Sequence, residues 1–120
     1  MADGSLHKLN DETFASAIES QGVIAVAEFW ASWCMPCRMV EPVVRQLAGE
    51  FEGRVIVAQI DTDQNRDLAH RFEISAVPTI VIFKDGEPVS RFVGLTGYDK
   101  LASALEDAIE GRAASEAATG

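Results

Sequence analysis

The sequence contains few of the residues that form disulfides or bind structural metal ions, which stabilise small proteins that lack a large hydrophobic core. It has two cysteines and two histidines among its 120 residues. Two cysteines are too few for a disulfide scaffold, and a chain of this length can bury a hydrophobic core without one. His7 and His70 do not have the spacing of zinc ligands, so a metal site is disfavoured as well.

Long apolar runs and a surplus of basic residues are also missing. No stretch reaches the ~20 apolar residues of a membrane-spanning helix. Ten Lys and Arg residues stand against nineteen Asp and Glu residues, which gives a formal net charge of −9. This charge repels phosphate backbones and anionic membranes, so we expect neither nucleic acid nor a membrane as a partner. Residues 1–5 lack the features of a secretory signal, and we expect a cytoplasmic location.

The composition that is present is that of an ordinary globular protein. Apolar residues make up 48% of the chain and charged residues 24%. Its length suits one compact unit, so we expect a single domain over residues 1–111. Residues 112–120 are small and polar, and we expect them to form a flexible tail.

Hydrophobic periodicity predicts the element order β-α-β-α-β-α-β-β-α, which indicates an α/β protein with a mixed sheet. Asp85-Gly86 between two β-type runs predicts a hairpin. Asn10 or Asp11 is expected to cap the first helix. The last helix is expected to bury its apolar side chains, namely Leu101, Ala104, Leu105, Ala108 and Ile109. The predicted strands cover residues 23–30, 54–60, 79–83 and 88–93, and the later helices run from the cysteines to Gly53, over 65–72 and over 97–110.

The run Trp33-Cys34-Met35-Pro36-Cys37 lies where an apolar strand ends and a helical pattern begins. Unpaired amides and the positive end of the dipole at a helix N-terminus stabilise a thiolate, so Cys34 is the expected nucleophile. Cys37 follows one turn later, close enough to form a disulfide. Pro36 suits the first helical turn because its missing N–H costs little there.

Three other interpretations of the cysteine pair stay open from the residues alone. The pair can be half of a zinc site, although two more ligands would then be needed. It can be a structural disulfide, although so short a ring constrains the unfolded chain very little. It can also be two unreactive core cysteines, which the neighbouring Trp33 and Pro36 disfavour.

Glu28 interrupts the apolar strand 23–30. A carboxyl group in such a strand is desolvated, which raises its pKa and makes it a candidate proton acceptor for Cys37. The alternative is that its long side chain reaches solvent.

Several segments occur in the order in which the thioredoxin family has them. They are Phe29–Pro42 around the cysteines, Asp61–Asn65, Val77–Thr79, Phe83–Gly86 and Val93-Gly94. On these motifs the chain resembles a thioredoxin from about Leu6 to Glu110. The resemblance implies the thioredoxin fold, an α/β structure whose central mixed five-stranded sheet is flanked by four helices.

The resemblance also implies a thioredoxin-like protein-disulfide reductase. In it Cys34 is the attacking thiolate, Cys37 resolves the mixed disulfide, and Glu28 takes the position of a buried carboxylate that assists proton transfer. Val77-Pro78 corresponds to a cis peptide facing the cysteines. An apolar patch that binds an extended substrate segment is implied at Trp33, Met35, Pro36, Val77, Pro78 and the Gly94-Leu95 loop.

The same resemblance implies the source of electrons and the partners. No cofactor is bound: the Cys34–Cys37 disulfide is itself the redox group, and electrons come from NADPH through a flavin-containing thioredoxin reductase. The other partners are disulfide-containing substrate proteins. Nothing beyond the docking patch suggests a permanent interface, so we expect a monomer.

Three residues depart from the family pattern: Glu28 stands where Asp is usual, Gln59 where Lys is frequent, and Met35 where Gly is commonest. Without the Lys cation, Glu28 is expected to titrate higher. No His lies between the cysteines, which favours a reductant over an oxidase or isomerase. That oxidase or isomerase remains an alternative, as does a binding module whose redox activity is incidental.

Overall fold

The computed structural model describes residues 6–111; residues 1–5 and the tail predicted over 112–120 lie outside this range. The described residues form five strands and four helices in the predicted order. The strands are β1 (Leu6–Lys8), β2 (Ile24–Trp30), β3 (Ile56–Asp61), β4 (Thr79–Lys84) and β5 (Glu87–Val93). The helices are α1 (Phe14–Ile18), α2 (Met35–Glu50), α3 (Arg66–Arg71) and α4 (Tyr98–Glu110).

The five strands form one mixed sheet in the order β1-β3-β2-β4-β5. β3 pairs in parallel with both β1 and β2, while β4 is antiparallel to β2 and β5 to β4. Asp85 and Gly86 join β4 to β5 with φ angles of 55° and 86°, the left-handed conformation that a tight hairpin turn needs. The predicted α/β class, mixed sheet and hairpin are confirmed.

Both faces of the sheet are covered by helices, so its central strands are apolar on both sides. One core packs α2 and α4 against the sheet, with Val26, Leu47, Ile82 and Leu105 among its members. The other packs the segments of α1 and α3 against the opposite face, with Phe14, Phe29, Phe72 and Phe83 among its members. Ile109 was expected to be buried, but this residue of the last turn of α4 is 36% exposed.

Side chains alternate between the two faces along a strand, and this alternation orients the polar residues of the sheet. In β2, Ala27 and Phe29 belong to the core on the side of α1 and α3, whereas Val26 belongs to the core under α2. Glu28 has the parity of Val26, so it faces α2. Its partner Gln59 on β3 is in register with it and also faces α2.

The start of the first helix differs from the prediction. α1 begins only at Phe14, and Asn10 instead forms a turn in which its Oδ1 accepts from the backbone N–H of Glu12 and Thr13, both at 2.9 Å. Asp11 accepts from the N–H of Leu68 at 3.1 Å, so its carboxylate satisfies the first turn of α3. Asp11 does cap a helix, but that helix is α3, and its hydrogen-bond partner Leu68 lies 57 residues away in sequence.

Candidate active site around the Cys34–Cys37 disulfide

Cys34 and Cys37 are joined by a disulfide at the start of α2, with their Cα atoms 5.3 Å apart. Cys34 is the N-cap of the helix, and its Sγ accepts a hydrogen bond from the backbone N–H of Cys37 at 3.1 Å. The helix terminus therefore directs an otherwise unpaired amide at this sulfur. The predicted placement of Cys34 at the helix N-cap is confirmed.

Local contacts fix this junction between strand and helix. The N–H of Cys34 donates to the carbonyl of Ala31 at 3.1 Å, which turns the chain directly after β2. Pro36 occupies the first helical turn, where a missing N–H leaves no partner unsatisfied. The Arg38 guanidinium donates back to the carbonyl of Ser32 at 3.1 Å and secures the loop from the helix side.

The loop that directly precedes β4 lies next to Cys34. The Val77-Pro78 peptide is cis, and the carbonyl oxygen of Val77 lies 3.6 Å from the Cys34 Sγ. The N–H of Gly94 donates to the carbonyl of Pro78 at 2.8 Å, which holds the Gly94 loop beside it. Cys34, Val77, Pro78 and Gly94 are thus brought together as the resemblance implied.

Several large apolar side chains in the segments that contain Cys34 and Gly94 are exposed. Trp33 is 70% exposed, Met35 64% and Leu95 56%. Met39, one helical turn beyond Met35, and Val93, beside Gly94, were not predicted at this surface, and both are more than 60% exposed. We call Trp33, Met35, Met39, Val93 and Leu95 the apolar patch. Large exposed apolar side chains that lie together are typical of protein-binding surfaces.

Trp33 is held at the edge of this patch by a residue that sequence reasoning missed. Its Nε1–H donates to the Asp63 Oδ2 at 2.9 Å. Asp63 lies just beyond β3, and its N–H is itself held by the Asp61 carboxylate at 2.9 Å. The motif that contains Asp63 was recognised in the sequence, but its hydrogen bond to an indole 30 residues away was not.

On the side of Cys37 the disulfide borders a cavity of about 410 Å³, which we call the polar cavity because most of the residues that line it are polar or charged. Cys37 lines this cavity together with Glu28, Gln59 and Glu41. The remaining lining residues are Lys8, Trp30, Ala31, Ser32 and Arg38. Cys34 and Cys37 are equally buried, at 3% and 4% exposed, so their surroundings rather than their exposure distinguish the two sulfur atoms.

Glu28 lies at the base of this cavity and is only 1% exposed, so its side chain does not reach solvent. The Gln59 Nε2–H donates to its Oε1 at 3.0 Å. Burial raises the pKa of Glu28 to about 7; the hydrogen bond from Gln59 lowers this pKa, and the charge of Glu41 raises it. The sequence indicated a desolvated acid at this position, but Glu41, Lys8 and Arg38 as its neighbours were missed.

Within residues 6–111, no three His, Cys, Asp or Glu side chains cluster closely enough to hold a metal ion. None of the helices in that range combines the length and apolarity needed to cross a membrane.

Comparison with known proteins gives a consistent result. The sequence model of the thioredoxin family matches residues 5–107. A thioredoxin of Staphylococcus epidermidis is 40% identical over 99 residues, which cover 82% of this chain and 93% of the relative. Thioredoxins of Staphylococcus saprophyticus and Staphylococcus aureus are 39% and 38% identical over the same shares.

The family match spans the whole sheet, the cysteine pair, the first three helices and most of α4. Its extent is far greater than the Cys-x-x-Cys motif alone would give. The chain belongs to the thioredoxin family and is a thiol–disulfide oxidoreductase of the protein-disulfide reductase type.

Proposed function

We propose that Cys34 is the sulfur that attacks substrate disulfides. The observation that carries this assignment is its position: Cys34 caps α2, accepts the N–H of Cys37 at 3.1 Å and adjoins the cis peptide and the apolar patch. In the reduced protein the Cys34 thiolate attacks one sulfur of a substrate disulfide. A mixed disulfide forms, and the other substrate sulfur leaves as a thiolate.

Cys37 completes the reaction from the inner side. It gives up its proton, attacks the Cys34 Sγ and forms the internal disulfide, while the second substrate sulfur leaves as a thiolate. Two electrons pass from the cysteine pair to the substrate. Glu28 shares the polar cavity with Cys37, and an acid whose pKa is about 7 is well matched to accept this proton near neutral pH.

The apolar patch supports docking of an extended, apolar substrate segment beside Cys34. Trp33 and Met35 are the chain neighbours of Cys34, and Val93 and Leu95 are those of Gly94, whose N–H donates to the carbonyl of Pro78. The Val77 carbonyl oxygen lies 3.6 Å from the Cys34 Sγ, so we include Pro36, Val77, Pro78 and Gly94 in the docking surface. A substrate cysteine flanked by apolar residues would bury both surfaces on binding.

The electron supply follows from this cycle, because the internal disulfide must be reduced after each turnover. We assign that task to a thioredoxin reductase that draws on NADPH, with disulfide-containing proteins as the substrates. A reducing, cytoplasmic setting suits such a cycle. We further propose that the protein acts as a monomer and as a single domain over residues 1–111.

Two measurements test the proposal. The first is insulin reduction with dithiothreitol as the donor, repeated with NADPH and thioredoxin reductase; both should be accelerated by the wild-type protein. The second is the equilibrium reduction potential of the cysteine pair. A value near ~−270 mV, typical of thioredoxins, supports a reductant, whereas a value near ~−120 mV would instead identify an oxidant.

A further inference from the structure

The cavity behind Cys37 contains a second carboxylate, Glu41, that the reaction described above does not use. Glu28 is 1% exposed, and among the described residues the two carboxyl groups line one common cavity. Nearby charges change how readily an acid holds a proton. The charged groups that line this cavity are therefore candidates to influence Glu28.

The position of Glu41 follows from helical geometry. It lies four residues after Cys37 on α2, so both side chains are on the same helix face. One turn further on, Arg45 donates to the Glu41 Oε2 from Nε at 3.0 Å and from Nη2 at 2.7 Å. Glu41 is 39% exposed, so it connects the buried cavity with solvent.

The other groups around Glu28 set the electrostatic background. β1 contributes Lys8 and α2 contributes Arg38, both at the rim of the cavity, and β3 contributes the neutral amide of Gln59. On β4 the residue in register with Glu28 is the apolar Ile80. Glu41 is therefore the one other carboxylate that lines the cavity within residues 6–111.

We propose that Glu41 is a positioning residue that increases the proton occupancy of Glu28, by its negative charge across the cavity they share. This inference rests on the proposed role of Glu28 as the proton acceptor for Cys37. An ionised Glu41 disfavours a second negative charge at Glu28, and Arg45 moderates that effect by pairing with Glu41. The partly exposed Glu41–Arg45 pair thus adjusts how readily Glu28, beside the redox centre, holds a proton.

The direct test is titration of the Glu28 carboxyl carbon by NMR in the oxidised protein with ¹³C-labelled glutamate, assigned with Glu28→Gln. Glu41→Gln removes the neighbouring negative charge and should shift the Glu28 midpoint to lower pH. Arg45→Gln removes the cation that moderates Glu41 and should shift it to higher pH. Glu41→Asp keeps the charge and should leave the midpoint close to that of the wild type.

The matched control is Glu50→Gln, which removes the same charge at the last residue of α2, outside the cavity. It should leave the Glu28 midpoint near the wild-type value. The proposal is overturned if Glu41→Gln moves the midpoint no more than Glu50→Gln does, or if Glu41→Gln and Arg45→Gln move it in the same direction.

A second readout separates this inference from the role of Glu28. The rate at which Cys37 resolves a preformed mixed disulfide is measured against pH in the wild type and in Glu41→Gln. If the midpoint of that rate moves together with the NMR midpoint, both proposals hold. If only the NMR midpoint moves, Glu41 governs Glu28 as proposed, and Glu28 is not the proton acceptor.

Discussion

The two sulfur atoms of one disulfide face two different environments. Cys34 adjoins the cis Val77-Pro78 peptide and a patch of exposed apolar side chains. Cys37 lines a polar cavity with the buried acid Glu28 at its base. Both cysteines are almost fully buried, so accessibility does not separate them. In the proposed mechanism, substrate recognition therefore belongs to the outer side of the disulfide and proton transfer to its inner side.

The largest expected effect comes from removing each sulfur in turn. Cys34→Ser should reduce insulin reduction to the uncatalysed rate, because the attacking thiolate is lost. Cys37→Ser should still attack but should accumulate the mixed disulfide, visible as a covalent adduct on a non-reducing gel. An adduct that accumulates with Cys34→Ser and not with Cys37→Ser would reverse the assignment of outer and inner sulfur.

The next largest effect is expected on the free energy of unfolding, through Glu28 on the inner side of the disulfide. Because the pKa of Glu28 is raised from 4.5 to about 7 on folding, the folded protein binds more protons than the unfolded chain between these values. The contribution of Glu28 to stability is therefore most favourable below pH 4.5, declines as the pH rises to about 7, and stays low above it.

Glu28→Gln should remove this loss of stability at high pH in the oxidised protein. At ~1.4 kcal/mol per pKa unit, the variant should gain on the order of 3 kcal/mol over the wild type at alkaline pH and little at pH 4. Urea unfolding of both proteins from pH 4 to pH 9 measures the difference, and a gap that does not change with pH would contradict the expectation.

The outer side should respond in substrate binding and not in stability. Met35→Ala removes an exposed side chain beside Cys34, and the lost contact should cost about 1 kcal/mol, or roughly 5-fold in kcat/KM, mostly through KM. Met39→Ala, one turn farther from the disulfide, is the graded comparison and should lose less. Equal losses in kcat for both variants would show that the patch does not act by docking.

The smallest expected effect concerns the orientation of Trp33. Asp63→Ala removes the acceptor of the indole N–H, and because this hydrogen bond is exposed the loss should stay within about 1 kcal/mol. We expect kcat/KM for insulin to fall by roughly 2–3-fold. Asp63→Asn retains a side-chain oxygen that can accept the bond, so it should keep near wild-type activity. A larger loss with Asn than with Ala would refute this role for the hydrogen bond.

Much of the fold was predictable because its signals are local. Apolar runs located the four strands β2 to β5, but not the short β1, and Asp85-Gly86 identified the hairpin through its conformational preference. The start of α1 was misjudged because Asp11 hydrogen-bonds to α3 instead of its own helix. A capping Asp has the same sequence signature whether it caps the helix that follows it or a helix far away in the chain.

The active site likewise has features that could be predicted from local sequence and others that depend on long-range contacts. The chemistry could be predicted from short stretches of sequence: two cysteines at a strand-to-helix junction, and an acid inside an apolar strand. Both depend on neighbours within a few residues. The structure adds the surroundings of each sulfur and shows that Lys8, Arg38 and Glu41 line the same cavity as Glu28. Strand pairing and helix packing bring these residues together from β1, β2 and α2, and no pattern within one segment of the sequence predicts such long-range contacts.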